Sequence, residues 1–280
     1  MKSFALISLF ASAAWAFTAP AGLSTACGAY MKALDSDSSL SSCTSAINSA
    51  TSAFATGSSS SGDVNSALST LCASSNPCSE ASIRTALTKF YAACPQELTN
   101  GTAIPEVVQI YDVLYITYPL YKSMCSQDDS GNRCGAQSLG TPPAASSLYT
   151  GSQQTLAPNF DTLKSSNAAF LFLQPTLSKD KLCVSCTRSI LTSYISFESD
   201  LAYAPGLASS ILLSGQTALY QAIQSTCGAS FLNGAVQAAG SLADGILGGS
   251  SGAASIRAGN GVGTIASLLS VAAVALAAGF

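Results

Sequence analysis

The sequence predicts an all-α protein, a disulfide-stapled bundle of about seven to eight helices with a long central loop. Two observations carry this. Apolar residues recur at steps of 3 and 4 along most of the chain, while the period-2 alternation of half-buried strands is scarce. The ten cysteines, an even number, all lie between two apolar terminal segments, the pattern of a secreted disulfide framework.

The helices follow in order. Leu40, Cys43, Ile47, Ala50 and Phe54 step along one face, and the Ser run from Gly57 to Gly62 breaks it. Asp63 is placed to cap the next helix, where Val64, Ala67, Leu68, Leu71 and Cys72 share a face until Asn76-Pro77. Ser79 caps a third, with Ile83, Leu87, Phe90 and Cys94 aligned and Pro95 as its stop. Pro105 suits a first-turn position because it lacks the N–H that is unpaired there. Ile110, Leu114, Tyr118, Tyr121 and Cys125 follow it, and Pro119 is expected to kink or end this helix. From about 135 to 166 the chain is rich in Gly, Pro, Ser and Gln and has no clear period, so an irregular connection is expected. Structure resumes at Ala168 to Leu173. Cys183, Cys186, Ile190, Tyr194 and Phe197 then fit one helix face, and Tyr203-Ala204-Pro205-Gly206 reads as a turn. Leu207, Ile211, Leu219, Ile223 and Cys227 mark another helix with Gly228 as its C-cap. A last helix is expected from about Phe231 to Ile246. Cys27 and Cys43 stand as far apart as Cys78 and Cys94, an echo too small to define a repeat.

The two ends read as removable signals. Lys2 precedes an apolar run from Phe4 to Ala14, and Ala14-Trp15-Ala16 has small residues at the −3 and −1 positions. This predicts a secretory signal over 1–16, with cleavage after Ala16. The run is too short to span about 30 Å of hydrocarbon. At the other end, residues 248–280 combine small residues (Gly248 to Ser255), a short polar stretch around Arg257 and Asn260, and an uncharged apolar tail from Val262 to Phe280. That order matches a GPI-attachment signal, with Ser250 or Ser251 as the attachment residue. A plain transmembrane helix would carry flanking Lys or Arg on its cytoplasmic side. The expected mature body is thus a cysteine-rich helical ectodomain over 17–247.

Composition excludes several activities. Lys2 and Arg257 leave with the signals, so nine basic residues face 14 acidic ones. An acidic body without a Lys/Arg cluster argues against nucleic-acid binding. The chain has no histidine, which removes Ser-His-Asp and Cys-His hydrolases and histidine-ligated zinc. No cofactor or metal is expected, and no catalytic constellation is recognised, so the chain is read as a non-enzyme.

The remaining motifs each have a plain structural reading. Cys183-Val184-Ser185-Cys186 has C-x-x-C spacing, but a redox dithiol needs an environment that stabilises its thiolate. Two structural cysteines with different partners are expected instead. The disulfide cysteines are Cys27, Cys43, Cys72, Cys78, Cys94, Cys125, Cys134, Cys183, Cys186 and Cys227, and their roughly 945 possible pairings leave connectivity open. Asp129-Ser130-Gly131 resembles half of an aspartic-protease signature, but no second copy exists, so a turn is expected. Asp128, Asp129 and Asn132, or Asp35 and Asp37, lack the Gly and Glu positions of a calcium loop. Glu198 and Asp200 are read as a solvated helix end. Asn100-Gly101-Thr102 is an N-glycosylation sequon. Tyr111, Tyr115, Tyr118 and Tyr121 cluster around Pro119. They form either a groove for a small apolar ligand or glycan, or core with hydroxyls at its edge.

The runs Tyr111-Asp112-Val113-Leu114-Tyr115 and Asp128-Asp129-Ser130-Gly131 between Cys125 and Cys134 resemble an uncharacterised family of fungal secreted, cysteine-rich, GPI-anchored proteins. Leu182-Cys183 with Cys186, Tyr203-Ala204-Pro205-Gly206-Leu207 and Phe231-Leu232-Asn233-Gly234-Ala235 extend the likeness over roughly Cys27 to Gly240. The resemblance implies a fungal host and a site on the outer face of the plasma membrane or in the cell wall. It implies no activity. The expected function is therefore a cell-surface protein of structural or interaction type, held to the membrane through a GPI lipid. Its expected partners are cell-wall glycan or another surface protein. A ligand-binding module using the tyrosines is the second reading.

Overall fold

The structure, a computed structural model, describes residues 20–40, 43, 46, 63–73, 78–99, 101–137, 147–150, 157–228 and 230–232. The signal at 1–16, Ile47, Ala50 and Phe54, the sequon residue Asn100, most of the last expected helix and the attachment candidates Ser250 and Ser251 lie outside the described residues.

The protein is all-α and stapled by disulfides. The described helices are α1 (Thr25–Asp35), α2 (Val64–Leu71), α3 (Glu80–Ala93), α4 (Pro95–Leu98) and α5 (Pro105–Cys125), then α6 (Phe160–Ser165), α7 (Lys179–Leu182), α8 (Ser185–Asp200) and α9 (Gln216–Cys227). Positions 38–40, 43 and 46 are helical as well. Cap chemistry sets the starts. Asp63 accepts from the N–H groups of Asn65 and Ser66, Ser79 from Ser82 and Asn159 from Thr162. Pro105 opens α5 as expected, and Gly228 ends α9 at φ +88°, where a side chain would be strained.

α5 is the axis of the molecule. It packs against α8 on one side and α3 on another, and α1 covers α3. Its buried residues run from Val107 to Met124 and point in every direction, as expected of a helix enclosed by neighbours. Although it is 21 residues long, no described helix is long and apolar enough to cross a membrane.

Four expectations change. Pro119 neither ends nor breaks α5, which runs on to Cys125. The ring removes one backbone donor, but packing on several sides holds the helix together through that gap. Ser123 Oγ also donates to the Pro119 carbonyl at 2.7 Å. The connection expected to be irregular over about 135–166 contains a short antiparallel pair, Tyr149–Thr150 against Ala157–Pro158, and then α6. The helix expected from Leu207 begins only at Gln216, because Leu207–Ser209 is a 3₁₀ turn followed by further turns. Cys183 ends α7 and is not on the α8 face, which starts at Ser185.

All ten cysteines are paired: Cys27–Cys94, Cys43–Cys78, Cys72–Cys125, Cys134–Cys186 and Cys183–Cys227. The C-x-x-C cysteines have different partners, as expected. The first two bridges are nested. Cys27 and Cys43 pair in reverse order with Cys94 and Cys78.

Candidate functional site

The most chemically unusual place in the fold is its centre, where α5, α8, the 201–215 segment and the start of α9 meet. Four tyrosines and three phenylalanines are among its largest fully buried side chains: Tyr111, Tyr115, Tyr194, Tyr203, Phe90, Phe170 and Phe197. Tyr111 meets Phe90 and Tyr203 edge to face at 5.3 and 5.2 Å, and Tyr115 meets Phe197 and Tyr203 the same way at 5.1 Å each. Such pairs are worth about 0.5–1.5 kcal/mol beyond the area they bury.

The four tyrosines around Pro119 therefore do not line one groove. Tyr111 and Tyr115 are fully buried, and burial pushes both hydroxyls far above the usual phenol range. Tyr115 donates to the Leu201 carbonyl. Tyr118 is half-buried against Phe197 at 5.8 Å, with burial and Glu80 pushing its hydroxyl up to about 12. Tyr121 edges an open surface groove of about 440 Å³ with Lys122, Ser126, Ser189, Thr192 and Ser193. A second open groove of about 400 Å³ lies between α1 and α3, with Tyr30, Asp37 and Lys89 on its walls.

Two carboxylates are buried in this centre. Asp112 is inaccessible to solvent. It accepts from Ser210 Oγ at 2.6 Å and from the backbone N–H groups of Ile211 and Leu212 at 2.7 and 3.3 Å. Ser210 Oγ in turn accepts from the Leu213 N–H at 2.9 Å. One α5 side chain thus organises the whole 210–213 turn. The Tyr203 hydroxyl stands beside the carboxylate, outside hydrogen-bond geometry. Burial pushes Asp112 up to about 6 against the pull of these donors.

Glu198, on α8, is 1 % exposed. The expectation of a solvated helix end holds for Asp200 and fails for Glu198, because Glu198 shares the inward face of Ile190 and Tyr194. Its Oε2 accepts from Gln216 Nε2 at 2.7 Å. Burial pushes it up to about 7, and the Gln216 hydrogen bond opposes that only in part. Asp200 is largely exposed and pairs with Arg84, which also holds Glu80 and lies 5.6 Å from the Phe197 ring centre.

The wall of this centre is tight. Asn167, Leu171 and Phe172 adopt left-handed backbone at φ +51°, +51° and +64°, each costing on the order of 1–2 kcal/mol. Asn167 Nδ2 donates to the Leu173 carbonyl at 2.8 Å, and the Tyr194 hydroxyl donates to Ala169. Gly215 has no room for a side chain, since a Cβ there would lie 2.2 Å from Asn167 Oδ1.

The other sequence candidates resolve into structure. Asp128 accepts from the Ser130 and Asn132 N–H groups at 2.9 and 2.8 Å, from Asn132 Nδ2 at 3.1 Å and from Gln137. It is the pin of the expected turn. Asp37 likewise accepts from Ser39 N and Oγ at 2.8 and 2.6 Å. Glu97 is 3 % exposed beside the Cys27–Cys94 bridge. Burial pushes it up, but hydrogen bonding with Ser24 outweighs that and holds it below the usual range. Both sulfurs there are consumed in the disulfide, so these three residues do not form a metal centre.

Asp112, Ser210 and Gln216 were not picked out as site residues in the sequence. A signal existed for Asp112: it is the only charge between Glu106 and Lys122 in an otherwise apolar stretch. No family model, no curated protein and no solved structure matches this chain.

Proposed function

We propose that this chain is a cell-surface protein of structural or interaction type, held on the outer face of a fungal plasma membrane or in the cell wall by a GPI lipid. The observation that carries the reading is the pairing of all ten cysteines into five bridges with none free. Such a set forms and persists in an oxidising compartment. The sequence of residues 1–16 and 248–280 supplies the route and the anchor in this proposal. The buried acids support a scaffold role, since Asp112 and Glu198 are spent on holding the 210–213 turn and α9 in place. The second reading, a module for a small apolar ligand or glycan, would rest on half-buried Tyr118 and on the edge of Tyr121 that lines a groove, because Tyr111 and Tyr115 are enclosed.

Phospholipase C specific for phosphatidylinositol, applied to intact cells, tests the anchor. The protein is expected in the supernatant with its chain ending at Ser250 or Ser251 and an ethanolamine remnant attached. A membrane-bound chain that still carries Phe280 by mass spectrometry overturns the proposal.

A further inference from the structure

Glu198 and Gln216 each carry a planar group with two polar atoms, and one atom of each is accounted for by the Nε2–H to Oε2 hydrogen bond of 2.7 Å. The two that remain, Glu198 Oε1 and Gln216 Oε1, are both buried and both without a hydrogen-bond partner. Their residues are 1 % and 4 % exposed. With Glu198 ionised, both leftover atoms are pure acceptors, and a buried acceptor without a donor destabilises the fold. Turning the amide over would not help, because it would put an oxygen against the carboxylate. A single proton satisfies both atoms at once: on Glu198 Oε1 it makes a donor for Gln216 Oε1, closing a two-bond ring between acid and amide.

We propose that Glu198 carries a proton in the folded protein and that the acid–amide ring it forms with Gln216 is a proton-dependent clasp between α8 and the start of α9. Among the described residues no donor reaches Glu198 Oε1. Tyr115 of α5 and Tyr194 of α8 are the titratable groups that face Glu198. Tyr115 spends its hydroxyl proton on Leu201 and Tyr194 on Ala169. The nearby cation, Arg84 of α3, is engaged by Glu80 and Asp200 at the surface. Burial pushes the Glu198 carboxyl up from 4.5 to about 7, in the direction the clasp requires.

The sign follows from linkage. A folded-state pKa raised above the unfolded one means that the folded chain binds the extra proton between 4.5 and about 7. The clasp's stabilisation is full below 4.5 and is lost as pH rises through about 7. The part between pH 6 and 7 corresponds to roughly a fivefold fall in the folding equilibrium constant. Asp112 acts lower, between 3.8 and about 6, and adds roughly a twofold fall between pH 6 and 7 that Glu198→Gln leaves in place.

The chain has four glutamates, Glu80, Glu97, Glu106 and Glu198, which makes a carboxyl-carbon titration by NMR of the secreted, disulfide-bonded protein tractable. One glutamate is expected to keep the shift of a protonated acid at pH 6 and to titrate near 7. That signal should be absent in Glu198→Gln, whose amide forms the same two-bond ring with Gln216. Urea titrations of Glu198→Gln should also lose the fivefold fall between pH 6 and 7. Four glutamates all ionised at pH 6 in the wild-type protein overturn the proposal, even if the variant does not fold. An unchanged fall between pH 6 and 7 in a folded Glu198→Gln does so equally.

Discussion

Where α1 lies on α3, α1 commits only Cys27 and Met31 to full burial, and α3 answers with Ile83, Ala86, Leu87 and Phe90. Tyr30 adds a ring contact to Phe90 at 5.4 Å and a hydrogen bond to the Ala86 carbonyl at 2.6 Å. α5 and α8, packed together, commit Tyr111, Leu114, Tyr115, Ile190, Leu191, Tyr194 and Phe197 to burial, and Tyr115 meets Phe197 across the two helices at 5.1 Å. The bridge from Cys27 to Cys94 joins α1 to the end of α3, and Cys43–Cys78 joins the chain just after α1 to the residue just before α3. No bridge joins α5 directly to α8. Two of the five cross-links thus sit at the α1–α3 contact, where apolar burial is thin. Each large buried side chain contributes about 1.5–3 kcal/mol, so the α5–α8 contact has less need of them.

Reduction of the five bridges should produce the largest effect. Closing loops of 35 to 67 residues is worth about 2–5 kcal/mol per bridge, against a typical total stability of about 5–15 kcal/mol. Circular dichroism should show a far lower melting temperature after reduction. Hydrogen exchange followed by mass spectrometry sharpens the comparison: peptides of α1 should lose protection before those of α5 and α8. Equal loss in both regions would break it.

Asp112→Ala tests the other region and should come next in size. The substitution strands Ser210 Oγ and the Ile211 and Leu212 N–H groups in a buried site. Each lost partner costs about 1–3 kcal/mol, so a destabilisation of about 3–5 kcal/mol is expected from urea titration at pH 7 with the disulfides intact. A change below about 1 kcal/mol would mean that the 210–213 turn holds itself and that aromatic packing alone secures the centre.

The contrast between the two regions was only partly legible in the sequence. Helical spacing located α2, α3, α5 and α8, because one-sided burial writes a period of 3.6 into the chain. Cap residues such as Asp63, Ser79 and Gly228 worked for the same reason: their effect is local. Pro119 misled because the cost of its missing N–H is set by the helices packed around it, which no local rule contains. The helix expected from Leu207 misled because Leu207, Leu212 and Leu213 are buried by turns, the second of them pinned by Asp112 from about a hundred residues away in the chain. Part of the core's bulk comes from Tyr111 and Tyr115, which also read as a surface groove. Connectivity was illegible, because pairing is set by which helix ends meet in space and not by the spacing of the cysteines along the chain.

Asp200→Asn should have the smallest effect, and it sharpens the same lesson on a single helix. Asp200 and Glu198 stand two residues apart on α8, yet one faces solvent and the other the core. The Asp200 side chain is 53 % exposed and its partner Arg84 is 29 % exposed, so water and salt screen their attraction. Arg84 keeps Glu80, four residues before it on α3, and its place over Phe197 when Asp200 is neutralised. The expected loss is therefore below about 1 kcal/mol, and it should vanish at 1 M salt, where the screening length falls to about 3 Å. The measurement is a pair of urea titrations at low and high salt. A loss above about 2 kcal/mol that survives salt would mean the Arg84–Asp200 pair joins α3 to α8 as firmly as buried chemistry does. The helix face, rather than the charge, would then no longer decide which acids matter.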